Sequence, residues 1–460
     1  MTGVQTCALP ISVSPTGVVT ALAVGQATLT ATTLDGGFRA SAVINVYVPS
    51  PVTEDPESDP APQPKPPVVV EPQELSFFGD TVLLVIPMGA FPVDLQLQTE
   101  QISDPLTTLD KQIFTQASPL FVLQTGGINP TTPLSLTMAY CHVCLLGGDP
   151  RLTGIYRQDD ENPDLYHYVG GVVDPDAHTV MTEIQEPGTY VILSHDPQFN
   201  DLSSHWAEND CGILAARNVL QGTGGGHFEP DRAITRAEFT RLLLNMDRIL
   251  QVSTQNQQHS MTFGDVQPQD WFYTDITAAA ANGWVSGSYG NFRPNQTISR
   301  QEMAVMLQNM LGTLLPQVPM TQIQGLFSDA NNTALWAQEA LTLAVSLGLI
   351  KGMDGTLQPE GEATRAQAAS LILRCLEMLG QITKPVSQQG ILRANSDENL
   401  PFEMTDTDGN PIYVLPQNEG VSQQLAALVL SGQTVILEGI WSRESTSALH
   451  GRLLKVWSLK

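Results

Sequence analysis

Arg236, Arg300 and Arg365 recur at steps of 64 and 65 residues, each directly after a Thr or Ser. A guanidinium held in such a place could receive a carboxylate or phosphate through paired N–H donors. Trp206, Trp271 and Trp336 recur at steps of 65. An indole at a groove edge could stack on a sugar face, although a Trp at a helix start also serves as core. Asp201, Asp265 and Asp329 each stand two residues after a Phe. They are candidate partners for the Arg side chains. Gly222, Gly287 and Gly352 are expected to end a helix in left-handed backbone, with close approach of backbone to a ligand as a second reading. The chemistry implied is recognition of an anion beside an apolar face.

The elements that must hold these residues are repeated helix pairs. The order Phe199-x-Asp201, His205-Trp206-Ala207, Gly222, Phe228-x-Pro230, Thr235-Arg236-Ala237-Glu238 returns twice. The second copy has Phe263-x-Asp265, Trp271, Gly287, Phe292-x-Pro294 and Ser299-Arg300-Gln301-Glu302; the third has Phe327-x-Asp329, Trp336, Gly352, Leu357-x-Pro359 and Thr364-Arg365-Ala366-Gln367. A fixed period sets the architecture first. Each copy predicts a first helix near the Trp, a Gly-rich loop, and a second helix opened by a capping box. Phe239, Leu242, Leu243 and Met246 then follow at helical spacing, as do Met303, Met306, Leu307 and Met310. The capping box explains the Thr and the Glu but not the Arg, which sits where the helix dipole disfavours a cation. Unpaired backbone N–H groups and a guanidinium at one spot would attract an anion.

Composition limits the partners. The 460 residues carry a formal net charge of −26. Residues 1–198 hold 5 basic and 22 acidic side chains, residues 199–380 hold 10 and 17, and residues 381–460 hold 6 and 8. So acidic a chain repels phosphate backbones, which argues against a nucleic-acid partner. No apolar run is long enough for a membrane span, and no signal peptide is visible. Residues 1–11 match no domain pattern and resemble translated sequencing adaptor; they are expected to be artefactual, with the true start and any export signal lost. Cys141 and Cys144 form a lone C-x-x-C in strand-like surroundings, read as structural or incidental, with a metal or a disulfide as alternatives. Cys211 and Cys375 fall at apolar helix positions and are expected to be buried thiols.

The fold class expected is multidomain. Residues 12–48 read as β-strands, residues 49–72 as a Pro-rich acidic linker, and residues 73–196 as a β-sandwich. Strands are expected at 81–87, 93–99, 120–124, 134–140, 153–157, 166–173, 179–184 and 189–194. The repeats occupy 197–260, 261–324 and 325–382. Residues 386–460 read as a small β-rich domain, with strands at 434–441 and 451–457 pairing across residues 442–450.

The repeat pattern resembles S-layer homology (SLH) repeats, and residues 17–31 are similar to the second half of a bacterial immunoglobulin-like domain of group 2. The SLH resemblance implies an α-helical pseudo-threefold trimer of repeats within one chain, with the second helices in a central bundle. It also implies grooves that bind secondary cell-wall polysaccharide, often bearing a pyruvate ketal, and hence an extracellular place at the cell wall. The site residues implied are the Arg, Trp, Asp and Gly sets above. Repeat two departs at Gln301 and repeat three at Gln367, so equal strength of the three sites does not follow. Repeat one has one extra loop residue in Gly224-Gly225-Gly226. No catalytic motif, metal-ligand set or cofactor loop is present, so an enzyme is not expected. A lattice-forming subunit, or the anchor of an enzyme or adhesin whose front is missing, are the alternatives; protein partners would use the β domains.

Overall fold

The computed structural model describes residues 11–13, 19–21, 25–32, 39–46, 72–91, 97–103, 106, 109–252, 262–395, 401–405, 411–417, 419–431, 434–441 and 452–459. Residues 1–10 and residues 49–71 of the Pro-rich segment lie outside this set. The chain divides into two compact units, 1–67 and 68–460. In the first, Ile11–Val13 pairs antiparallel with Val19–Ala21, and Gly25–Thr32 pairs antiparallel with Arg39–Val46.

The second unit opens with two facing sheets. One runs Val172–Asp174, Thr179–Ile184, Leu134–Ala139, Val82–Ile86, Gln73–Phe77. The other runs Tyr166–Gly170, Thr153–Gln158, Gly188–His195, Leu120–Gln124, Gln98–Ile102, with Phe114–Gln116 added beside Gly188–His195. Side chains alternate faces along a strand, so Leu134, Leu136 and Met138 point inward together and meet Phe121, Ile155 and Tyr190 of the opposite sheet. The single strand expected over 166–173 is broken at Gly170 and Gly171, whose φ values of 146° and 145° turn the chain from one sheet into the other. The strand expected over 93–99 lies later, at Gln98–Ile102; residues 92–96 are outside the described set. Cys141 and Cys144 close a disulfide around a short 3₁₀ turn.

Six helices follow in pairs: α1 Glu208–Ala216, α2 Arg236–Leu250, α3 Tyr273–Ala281, α4 Arg300–Leu311, α5 Gln338–Ser346 and α6 Arg365–Met378. The second helix of each pair begins with a complete capping box, from Thr235 and Glu238, Ser299 and Glu302, and Thr364 and Gln367. Phe239, Leu243 and Met246, Met303 and Leu307, and Leu371 and Leu376 belong to one core that runs through all three repeats. Backbone bonds close a cycle between them. Ile234 donates to Ala363, Ala363 to Ile298, and Ile298 to Ile234.

The chain ends in a six-stranded sheet ordered Val386–Ile391, Thr434–Trp441, Arg452–Leu459, Pro411–Pro416, Phe402–Thr405, Arg393–Ala394. Thr434–Trp441 and Arg452–Leu459 pair antiparallel, whereas Pro411–Pro416 and Arg452–Leu459 are parallel. A helix unforeseen from sequence, α7 Glu419–Ser431, buries Val421 and Leu425 against this sheet. The three parts of this unit touch directly. Tyr156 Oη donates to the Ala216 carbonyl at the end of α1 (3.2 Å), and buried Arg217 donates to the carbonyls of Arg151 and Gly171. Lys455 Nζ meets Asp176 Oδ1 at 2.7 Å.

Candidate functional site

Each repeated Arg leaves its own helix and grips the next repeat. Arg236 donates from Nε to Phe292 O (2.9 Å), from Nη2 to Ser286 O (3.1 Å) and from Nη1 to Glu302 Oε1 (2.9 Å). Arg300 donates likewise to Leu357 O (2.9 Å) and Lys351 O (2.6 Å), and stands 3.5 Å from Gln367 Oε1. Arg365 closes the cycle onto repeat one, donating to Phe228 O (2.8 Å) and Gln221 O (3.1 Å), with Glu238 Oε1 at 3.5 Å. The guanidinium groups of Arg236 and Arg365 also lie 4.6 Å over the Phe292 and Phe228 rings. Burial lowers the pKa of all three, opposed in Arg236 and Arg365 by the Glu partner.

Two expectations change here. The Arg side chains do not pair with the motif Asp residues. Asp201 instead accepts from the backbone N–H groups of Phe228 and Glu229, Asp265 from Phe292 and Arg293, and Asp329 from Leu357 and Gln358. The Leu357 N–H, and after it that of Gln358, hold the Asp329 carboxyl below the usual carboxylate range against partial desolvation. These Asp residues clasp the Phe-x-Pro loop of repeats one and two and the Leu357-x-Pro359 loop of repeat three. The helix N-termini are also engaged. Arg236 N donates to Gln296 O and Ala237 N to Pro294 O, with the same pair of bonds at Arg300 and Gln301, and at Arg365 and Ala366. The backbone donors that would have attracted an anion already have acceptors on the neighbouring loop.

The glycine expectation also changes. The left-handed positions after α1, α3 and α5 are Asn218, Gly283 and Gly348, with φ of 54°, 75° and 70°. Gly222, Gly287 and Gly352 stand further on, where there is no room for a side chain. A Cβ on Gly222 would lie 2.6 Å from the His227 carbonyl oxygen and 2.8 Å from the Phe199 ring. The residue before each of these glycines supplies a carbonyl to the incoming Arg.

The Trp residues are left facing solvent. Trp206, Trp271 and Trp336 are 60%, 51% and 60% exposed, so the core reading does not apply to them. Each borders a groove made by all three repeats. Groove 1, of about 640 Å³, joins the loop at Gly222, Arg365 and Trp271. Groove 2, about 370 Å³, joins the loop at Gly287, Arg236 and Trp336. Groove 3, about 240 Å³, joins the loop at Gly352, Arg300 and Trp206. The structure thus brings the Arg, Trp and Gly sets together three times and leaves the Asp set behind the loops. It adds residues that sequence reasoning missed. Arg241 lies 4.6 Å over the Trp271 ring and reaches Asp275 (2.6 Å). Asn245, Asn309 and Arg374 stand seven residues after each capping Glu or Gln and donate to the carbonyls of Val219, Trp284 and Leu349. That regular spacing was the available signal.

The S-layer homology domain model matches residues 198–240, 262–304 and 326–369. These are three SLH repeats. The SLH repeats fall on the three helix pairs, with the grooves between them. Amylopullulanase of Thermoanaerobacterium thermosulfurigenes is 30% identical over 258 residues, covering 56% of this chain and 13% of that protein. The surface-layer 125 kDa protein of Lysinibacillus sphaericus is 30% identical over 187 residues, 39% of this chain and 15% of that one. The S-layer protein sap of Bacillus anthracis is 28% identical over 180 residues, 39% and 21% respectively. The chain therefore spans only a small part of the curated relatives it matches. SLH repeats point to anchoring at the cell surface, and this chain shares sequence with S-layer proteins and with an amylopullulanase. Among the described residues, no helix is long and apolar enough to cross a membrane.

Proposed function

We propose that this chain anchors an exported protein non-covalently to the bacterial cell wall, with secondary wall polysaccharide bearing pyruvate ketals held in the grooves between its SLH repeats. The observation that carries this reading is the threefold recurrence of one constellation: an exposed Trp from one repeat, a tight Gly loop from a second and an Arg from the third. A sugar ring fits against the indole and the loop backbone, and a ketal carboxylate against the Arg side of the groove. Three grooves on one chain give avidity, so a modest affinity at each suffices for retention on a repeating polymer.

The role proposed is binding, not catalysis. The ionisable residues shared by the repeats hold loops: the Arg set grips carbonyls and the Asp set accepts backbone donors. The relatives supply a second reading, in which the chain is part of a lattice-forming surface protein; concentration-dependent self-association of the full chain in sedimentation velocity would favour it.

The test uses the Trp residues, because the Arg residues also hold the fold. A Trp206→Ala, Trp271→Ala, Trp336→Ala variant should keep its unfolding midpoint yet lose co-sedimentation with purified cell walls by tenfold or more. Undiminished binding by the folded variant would overturn the groove assignment.

A further inference from the structure

The three grooves share a backbone plan but not a charge. Groove 1 is lined by Arg241, Arg248 and Arg365 against Glu238 and Asp275, a net of +1. Groove 2 is lined by Arg236 and Arg293 against Glu302, again +1. Groove 3 is lined by Arg300, Lys351 and Arg374 with no carboxylate, a net of +3 on a chain whose total is −26.

Two positions of α6 create much of this difference. Gln367 stands where α2 has Glu238 and α4 has Glu302. It keeps the capping box, but meets Arg300 only through a neutral contact at 3.5 Å, whereas Glu302 binds Arg236 at 2.9 Å. Arg374 stands where the other helices have Asn245 and Asn309. All three side chains make the same bond, to the carbonyls of Leu349, Val219 and Trp284 respectively, so Arg374 adds a charge without altering the framework. The two positions are seven residues apart, two helical turns, and share one face. Lys351 makes no ion pair among the described residues and its carbonyl fixes Arg300 at 2.6 Å. A narrow cleft whose lining holds three cations and no carboxylate concentrates positive potential that the other two grooves cancel locally.

We propose that groove 3 is the anion-selective groove of the three. It takes the anionic group of the wall polymer, while grooves 1 and 2 hold uncharged sugar units against Trp271 and Trp336. Gln367 and Arg374 are the specificity-determining positions. This rests on the reading that the grooves hold wall polymer.

The experiment uses the full chain and two double variants. Gln367→Glu with Arg374→Asn gives groove 3 the pattern of its neighbours and retains the bond to Leu349. Glu302→Gln with Asn309→Arg gives groove 2 the pattern of groove 3. Binding is read by sedimentation with intact walls, and with walls whose ketals have been hydrolysed by mild acid. On intact walls the groove 3 variant should bind at least tenfold more weakly and with a shallower salt dependence. The groove 2 variant should bind more tightly. If mild acid removes the difference between wild type and the groove 3 variant, the anion is the ketal carboxylate; if the difference persists, it is polymer phosphate. A folded groove 3 variant that binds intact walls like wild type would overturn the proposal and leave the anchoring reading standing. Failure of the wild type to sediment with intact walls would overturn both.

Discussion

Arg236 joins two repeats through Phe292 O, Ser286 O and Glu302, and the same arrangement recurs at Arg300 and Arg365. Removing it leaves the buried Phe292 carbonyl, the Ser286 carbonyl and Glu302 Oε1 without this donor. Arg236→Ala should therefore cost about 3 kcal/mol of stability, measured by urea unfolding. Lys at this position should rescue little, because a point charge on a flexible stem cannot serve three divergent acceptors. A cost below roughly 1 kcal/mol would show that the Arg is dispensable to the fold. The Arg residues were legible in sequence as an anomaly, a cation where the helix dipole opposes it. Their partners were not, because Phe292 and Glu302 come near Arg236 only through the cyclic packing of repeats. The thiols were easier to read. Burial pushes Cys211 up to about 12 and raises Cys375 beyond its ordinary range. Neither should react with maleimide in the native protein, as mapped by peptide mass, and both should react in urea.

Elements were legible in proportion to how local their signals are. The capping boxes place the starts of α2, α4 and α6, because hydroxyl and carboxamide or carboxylate sit three residues apart on one turn. Strands Leu134–Ala139 and Thr179–Ile184 follow their alternating pattern. The corner at Gly170-Gly171 was missed because apolar residues continue through it while the sheet changes. α7 was missed although Val421, Leu425 and Leu428 carry a helical period. The glycines of the groove loops show the opposite case, a correct residue with a different cause. Gly287 packs against the Phe263 ring and the Asn291 carbonyl. Gly287→Ala should destabilise by about 1–3 kcal/mol through overcrowding, read as a lowered urea midpoint. The disulfide between Cys141 and Cys144 closes a loop of four residues. Chain entropy limits its contribution to about 2 kcal/mol, so reduction should lower the midpoint modestly without unfolding the protein.

At the scale of the second unit, the β-sandwich and repeat one are fastened at a seam that includes His195, Tyr156, Ala216 and Arg217. The His195 ring stacks on Phe114 at 4.1 Å, and burial, opposed by a backbone bond to Ala216, lowers its pKa to about 4. A histidine whose folded pKa is depressed binds its proton more readily when unfolded. Its contribution to stability is therefore complete above about pH 6.5 and is lost as the pH falls towards 4. Unfolding midpoints taken between pH 7 and pH 4 should fall by an amount worth at most roughly 3 kcal/mol. His195→Phe, which keeps the stack, should remove that part of the slope. The docking leaves the grooves clear, for every residue lining them comes from the three repeats. The local positive charge of groove 3, set on a chain whose net charge is negative, predicts binding to an anionic polymer that weakens as salt rises.

The most direct measurement is sedimentation of the full chain with purified cell walls before and after hydrofluoric-acid extraction, which strips the secondary polymer and leaves peptidoglycan. Anchoring through the grooves predicts binding to intact walls and its loss after extraction. Equal binding to extracted walls would contradict the account, since the ligand would then be peptidoglycan itself.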